Sequence, residues 1–325
     1  MSVDSPKHAE ESPGASVPID ASLVIASWNG RAHVLDCLRS ILASDTAARI
    51  EIIVVDNASS DGSAEAIALE FPAVQLICNS TNLGFARASN FGIARASGRY
   101  IFLVNSDVIV RKGAIDAMIQ FLDARPRTGL AGPRVLNVDG SLQPSCRKFP
   151  GVLTNTCDTF ALHRLSRRLS GEVMVHWSYD SDRSVDAVSG CFFAVRAAAL
   201  HQVGGLDETF FFYGEDVDWC MRLHEAGWDV RFCPTAEVVH VGGGSSSGDP
   251  RRFAGQMLAS NAKLYRKHYS KPVAAYLTAM GIAYHVVRLL PRLVLYAVLP
   301  SGRPAQKSKI EKHLGAVSWF LRADG

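Results

Sequence analysis

Short β-branched apolar runs alternating with helix-like segments constrain this chain more than any other feature. Ser22–Ser27 (SLVIAS), Glu51–Asp56 (EIIVVD), Val74–Asn79 (VQLICN) and Tyr100–Asn105 (YIFLVN) read as buried strands. Between them, Ala32–Ala43, Ser63–Phe71 and Phe85–Ala96 repeat Leu, Ile, Ala and Phe at helical spacing. Strand, helix, strand, three times over, predicts an α/β fold with a mostly parallel sheet flanked by helices and right-handed crossovers. Ligands of such sheets bind beyond the carboxyl ends of the strands. Three polar clusters fall there: Ser27-Trp28-Asn29-Gly30, Asp56 to Gly62, and Asn105-Ser106-Asp107. A Rossmann dehydrogenase is excluded, because the first strand runs into SWNGRAHV rather than a Gly-x-Gly-x-x-Gly turn.

After about Gly129 the rhythm changes to turns and less regular strands. Val185–Val195 (VDAVSGCFFAV) is expected as one strand beneath an acceptor side, Glu215–Glu225 as a helix, and Asp229–Phe232 as the lead into a final strand ending near His240. Gly242–Gly248 (GGGSSSG) reads as a flexible loop. The seven cysteines form no CxxC pair and are odd in number, which speaks against a disulfide framework or a zinc ribbon and fits a reducing compartment.

Several of these residues are suited to chemistry, each with a plainer use beside it. Asp56 can accept the imide N–H of a pyrimidine base, or with Asp61 can merely organise the turn and cap the next helix. Asp107 can hold Mg²⁺ or Mn²⁺, hard ions that prefer oxygen ligands and neutralise a diphosphate, or can cap a strand–helix turn. Phe210–Trp219 (FFFYGEDVDW) sets Glu215, Asp216 and Asp218 among aromatics. Mutual repulsion and apolar surroundings favour a general base there, and ring faces suit sugars. The same acids could instead complement a helix dipole. His240 could add a second ligand to the ion at Asp107, or be structural.

Together these motifs resemble the family-2 inverting glycosyltransferases of GT-A fold, most closely the bacterial rhamnosyltransferase-like branch. The resemblance runs from about Ala21 to Ser247 and is carried by IVVDNASSDGS (Ile53–Ser63), NLGFARASNFGI (Asn82–Ile93), LVNSD (Leu103–Asp107), VDAVSGCFFAVR (Val185–Arg196), VGGLDETFFFYGEDVDWCMRLHEAGW (Val203–Trp228) and the segment from His240 to Ser245. It implies that Asp56 contacts the donor base and that Asn82, Gly84 and Asn90 shape the nucleotide pocket, with Ser27, Asn29 and Asn105 also on the donor side. By the same resemblance Asp107 corresponds to the last acid of an Asp-x-Asp element and holds metal and diphosphate, with His240 as second ligand. Asp216 becomes the base that deprotonates the acceptor hydroxyl, and Glu215, Asp218 and Trp219 its acceptor-side neighbours. Asn105 departs from the pattern in replacing the first acid of Asp-x-Asp, and Arg87 in standing where small residues are frequent. The implied reaction transfers a hexose or deoxyhexose, rhamnose from dTDP-rhamnose being favoured, to a lipid-linked or glycan acceptor in cell-envelope polysaccharide synthesis. A UDP-hexose donor and an inactive sugar-nucleotide-binding scaffold are the alternatives.

The last part of the chain is different. From Gly248 onward there are 13 Lys+Arg against 3 Asp+Glu, a net of +10; the totals of 34 and 31 leave 21 against 28 before it, a net of −7. Ala254–Tyr269 looks helical with a basic end, and Val273–Leu299 is apolar but broken by His285, Arg288, Pro291 and Arg292. That break argues against a spanning helix of about 20 apolar residues and for helices lying in the plane of an anionic membrane surface. Packing on the catalytic domain or a homodimer is the competing use, and no nucleic-acid-binding signature accompanies the charge. The expected layout is a disordered tail (1–20), a GT-A domain (21–247) and a basic helical region (248–325), in an enzyme peripheral to the cytoplasmic face of the plasma membrane.

Overall fold

A computed structural model describes residues 18–166, 169–242, 250–298 and 303–323. The tail through residue 17 and the glycine-rich loop at 243–249 lie outside the described residues. Strands β1 (Ala21–Ser27), β2 (Ile50–Asp56), β3 (Gln75–Cys78) and β4 (Tyr100–Asn105) alternate with helices α1 (Arg31–Leu42), α2 (Ser63–Glu70) and α3 (Phe85–Ile93), as the apolar runs predict. β3 departs from the expectation of a buried strand: as the sheet's edge strand, it buries none of its four residues. These four strands pair in parallel in the order β3-β2-β1-β4. β1 is covered on both faces, which is why its sequence is apolar without alternation.

The second half of the sheet is mixed. It comprises β5 (Val108–Val110), α4 (Ala114–Asp123), β6 (Thr128–Leu136), β7 (Cys146–Arg147), α5 (Val152–Thr159), β8 (Arg183–Ser184), β9 (Ala187–Val188), β10 (Phe192–Arg196), α6 (Ala197–Val203), α7 (Glu215–Glu225) and β11 (Asp229–His240). β10 lies antiparallel between β4 and β6, and β11 runs parallel to β6 and antiparallel to β5. The expected single strand Val185–Val195 is therefore two. β9 pairs with β7 in a separate ribbon, and the chain turns at Ser189–Gly190 before β10 joins the main sheet. That turn becomes part of the site.

Three helices close the chain: α8 (Pro250–His268), α9 (Lys271–Val298) and α10 (Arg303–Ala323). The expected interruption of α9 is absent. Pro291 sits inside one continuous helix, on its exposed side, where the carbonyl that loses its helical donor can meet water. By length and composition this helix is long and apolar enough to cross a membrane. Its first half packs by one face, Ala274 and Leu277 joining Phe210, Met221, Leu264 and Tyr265 in one cluster. The second half leaves Leu290, Leu293, Val294 and Val298 exposed. α10 packs back on α8, where a Cβ on Gly255 would lie 2.7 Å from Trp319, and pairs with α9 through His285 and His313 at 3.1 Å.

Candidate active site

The carboxyl ends of β1, β2 and β4, the loop before α3 and the turn before α7 enclose one cleft with two ends that share Ala26, Phe85 and Phe212. One end is lined by Ser27, Trp28, Asn57, Asn82, Gly84, Phe211 and, from α8, Arg252, Phe253 and Gln256. The other is lined by Asn105, Asp107, Arg147, Ser189, Gly190, Tyr213, Glu215, Asp216 and His240.

At the first end, Asn57 commits its whole amide to the loop 79–84. It donates to Asn82 Oδ1 (2.9 Å) and the Gly84 carbonyl (3.2 Å), and accepts from Asn79 and Leu83. Gly84 is needed twice over: its φ is +83°, and a Cβ there would sit 2.4 Å from the Phe211 carbonyl oxygen. Asp56, register partner of Ser27, is buried and lines neither end of the cleft, so the donor-base contact expected of it is not one its carboxylate offers at this surface. Its Oδ2 accepts the Ser59 N–H at 2.9 Å, while its buried Oδ1 and the buried Ser27 hydroxyl have no protein partner. Each such orphan costs about 1–3 kcal/mol. Asn29, exposed and at φ +48°, accepts from Ser60 and ties the first loop to the second. Asn90 does not line the cleft. Both halves of its amide are taken by Leu206, so it fastens α3 to the loop before α7.

At the second end, Asp107 (8% exposed) faces His240, with Oδ1 and Nε2 3.3 Å apart. Gln143 Nε2 donates to Asn137 Oδ1, which turns its Oε1 toward His240 Nδ1 at 2.8 Å. Nδ1 is therefore the donor, and in the neutral ring Nε2 presents a lone pair beside a carboxylate oxygen. Two acceptors facing each other fit a cation between them. Among the described residues no group of three or more His, Cys, Asp or Glu could hold a metal. The pair therefore fits an ion that keeps water and diphosphate oxygens as its other ligands, as Mg²⁺ and Mn²⁺ do.

Asp216 opens α7 after a strained turn, with Tyr213 at φ +70° and Gly214 at φ +89°. Its Oδ2 accepts the Gly190 N–H at 3.0 Å and its Oδ1 the Val217 N–H at 2.8 Å. Glu215 beside it is buried, and burial first, then the neighbouring Asp216 charge, pushes its carboxyl up to about 8. Asp218 and Trp219 do not take the acceptor-side positions expected for them. They fall on the inward stripe of α7: Asp218 is fully buried against Arg222 (2.8 Å), Lys267 (2.6 Å) and His268 (2.7 Å), and Trp219 is core, with Nε1 bonded to the Gly204 carbonyl. Residues that sequence reasoning missed are Arg147, the Ser189–Gly190 turn and the three α8 side chains. A basic residue within a two-residue strand gave no signal of its own.

A parallel nucleotide-binding half-sheet joined to a mixed half, with acids at the junction, is the layout of a GT-A glycosyltransferase. The family model for "Glycosyltransferase like family 2" matches residues 18–259, and the chain belongs to that family. It is 32% identical over 245 residues to an N-acetylglucosaminyl-diphospho-decaprenol L-rhamnosyltransferase of Mycobacterium tuberculosis, covering 70% of this chain and 78% of that protein. It is 26% identical to the rhamnosyltransferase WbbL of Escherichia coli K12, covering 67% and 82%. Among solved structures it resembles a mannosyltransferase of Pyrobaculum calidifontis in complex with GDP-Man and Mn²⁺ (TM-score 0.59, 15% identity, 97% and 90% coverage) and S. aureus TarS residues 1–349 (TM-score 0.51, 12% identity, 94% and 91% coverage). At such identities these two likenesses bear on the fold.

Proposed function

We propose that this glycosyltransferase moves a sugar, L-rhamnose from dTDP-rhamnose in the favoured case, to a lipid-linked acceptor of cell-envelope polysaccharide synthesis, with inversion. The observation that carries this is Asp216, aimed by the Gly190 N–H into the cavity that also holds Asp107 and His240. The names of the mycobacterial and E. coli relatives favour rhamnose, and the mycobacterial name also gives a lipid-diphosphate acceptor bearing N-acetylglucosamine. Asp216 takes the acceptor hydroxyl proton as that oxygen attacks the anomeric carbon from the face opposite the diphosphate, whose bond to the sugar breaks with its electrons. Glu215, neutral at pH 7, adds no second charge to repel the departing anion. Asp107 and His240 would hold Mg²⁺ or Mn²⁺, which would neutralise the diphosphate charge.

The same reading sets the enzyme at the cytoplasmic membrane surface. α10 lies against α9 and exposes Lys307, Lys309 and Lys312, which a spanning α9 would drag toward hydrocarbon, so in-plane docking of the exposed α9 face is favoured over a crossing. The test of the donor is a panel of dTDP-, UDP- and GDP-sugars read by thermal shift with Mn²⁺ or Mg²⁺. Stabilisation by dTDP-rhamnose above the others supports the reading. No stabilisation by any nucleotide sugar contradicts it.

A further inference from the structure

The cavity of Asp216 also contains a cation that the transfer step leaves unused. Arg147 ends β7, and its partner across the ribbon, Ala187, leads through Ser189 to the Gly190 N–H that holds Asp216. It lines the end of the cleft that holds Asp216 and not the end lined by Ser27, Trp28 and Asn57. Three acids share its cavity and its charge bears on the buried Glu172 nearby, yet among the described residues no hydrogen bond or ion pair fixes its guanidinium, while the adjacent Lys148 is engaged with Ser170 at 2.8 Å. A guanidinium is a rigid fork of donors that matches phosphate oxygens two at a time.

A few residues beyond Arg147 the chain becomes apolar and exposed. Val152 and Leu153, in the first turn of α5, are 51% and 64% exposed. α5 is strapped along α9 by Thr156 to Tyr276 (2.7 Å), by Thr159 to the Met280 carbonyl (3.1 Å) and by Arg288 to the Asp158 carbonyl (2.8 Å). Just past that contact begins the half of α9 that leaves Leu290 and Val294 exposed. A cation at the reacting end of the cavity and an apolar path toward the proposed membrane face suit one molecule: a diphosphate with a long apolar tail.

Building on the acceptor class proposed above, we infer that Arg147 binds the diphosphate of the lipid-linked acceptor, with the tail led away over α5 and α9. Arg147 is then a specificity residue for the acceptor, while the donor diphosphate belongs to Asp107 and its ion.

The test compares the full chain and its Arg147→Ala and Arg147→Lys variants with two acceptors that share one sugar. These are N-acetylglucosamine on farnesyl diphosphate and octyl N-acetylglucosaminide, which lacks phosphate. Arg147→Ala should raise KM for the first at least tenfold and leave KM for the second, and the calorimetric Kd for dTDP, within twofold. Arg147→Lys, with charge but no fork, should fall between. Equal effects on both acceptors, weakened dTDP binding, or no effect at all would overturn the assignment. If the wild-type chain transfers sugar to neither acceptor, the proposed function has failed rather than this residue. Calorimetric binding of the farnesyl diphosphate compound, which needs no turnover, then decides Arg147: binding lost in Arg147→Ala supports the site, and equal or absent binding overturns it.

Discussion

Gln143 Oε1 accepts the Nδ1–H of His240 at 2.8 Å and so fixes which nitrogen His240 turns toward Asp107. Partners of this kind orient a metal ligand, and losing one typically costs ten- to a hundredfold in metal affinity. Gln143→Leu is therefore expected to weaken Mn²⁺ binding by roughly tenfold or more with the fold intact, and Asp107→Ala to abolish metal-dependent donor binding. Chelation should stop transfer, and Mg²⁺ or Mn²⁺ should restore it. Full activity in chelator would exclude a role for the metal.

The two adjoining acids should separate cleanly. Asp216→Asn keeps shape but cannot take a proton, so turnover should fall by roughly a hundredfold or more while donor affinity survives. Glu215→Gln mimics a carboxyl that is already neutral at pH 7 and should stay within about threefold of wild type. The opposite ranking would name Glu215 as the base.

Glu215 also sets a pH dependence of stability. Its folded carboxyl is raised to about 8 from an ordinary 4.5, by burial and then by Asp216. Below about 4.5 the folded and unfolded chains are both protonated, and above it only the unfolded chain ionises. Its contribution is thus fully present in acid and is lost as pH rises through about 8. Urea titrations from pH 5 to 9 should show this fall flattened in Glu215→Gln. Parallel curves for the two chains would place the Glu215 proton elsewhere.

Asp218 is expected to matter for folding. Removing its charge takes a fully buried partner from Arg222, Lys267 and His268, and although Arg222 keeps its two carbonyls and Lys267 keeps Asp207, it should cost about 3 kcal/mol. A denaturant midpoint measures this. An Asp218→Asn chain of normal stability that has lost acceptor affinity would return the residue to the acceptor site.

Asp218 also shows where the sequence stopped being legible. The strands and the carboxyl-end loops followed from the apolar runs, because buried parallel strands leave little choice of composition. In FFFYGEDVDW all three acids look alike, and only helix phase tells them apart. Glu215, Asp218, Trp219 and Arg222 form an i, i+3, i+4, i+7 stripe facing inward, and Asp216 stands off it. The break at Ser189–Gly190 was hidden inside an apolar run, because a two-residue ribbon and a sheet strand share one composition. Pro291 misled for a different reason: a single proline costs a helix one hydrogen bond but does not end it when its neighbours already hold the axis. Arg147 and the α8 contacts depend on tertiary placement alone.

The exposed half of α9 should bind anionic membrane. Each basic residue near such a surface contributes on the order of 1 kcal/mol, fading within a Debye length. Co-sedimentation with vesicles should require anionic lipid, weaken in high salt, and drop in a Leu290→Glu, Val294→Glu chain whose altered positions are exposed. Equal sedimentation of both chains, or none by either, would leave these helices as packing or dimer elements.

Single-displacement transfer by Asp216 is central to all of this, and the anomeric configuration of the product tests it most directly. NMR of the glycoside formed from the preferred nucleotide sugar should show the configuration opposite to the donor's, with no product accumulating in Asp216→Asn. A product that retains the donor's configuration would contradict single displacement at this site.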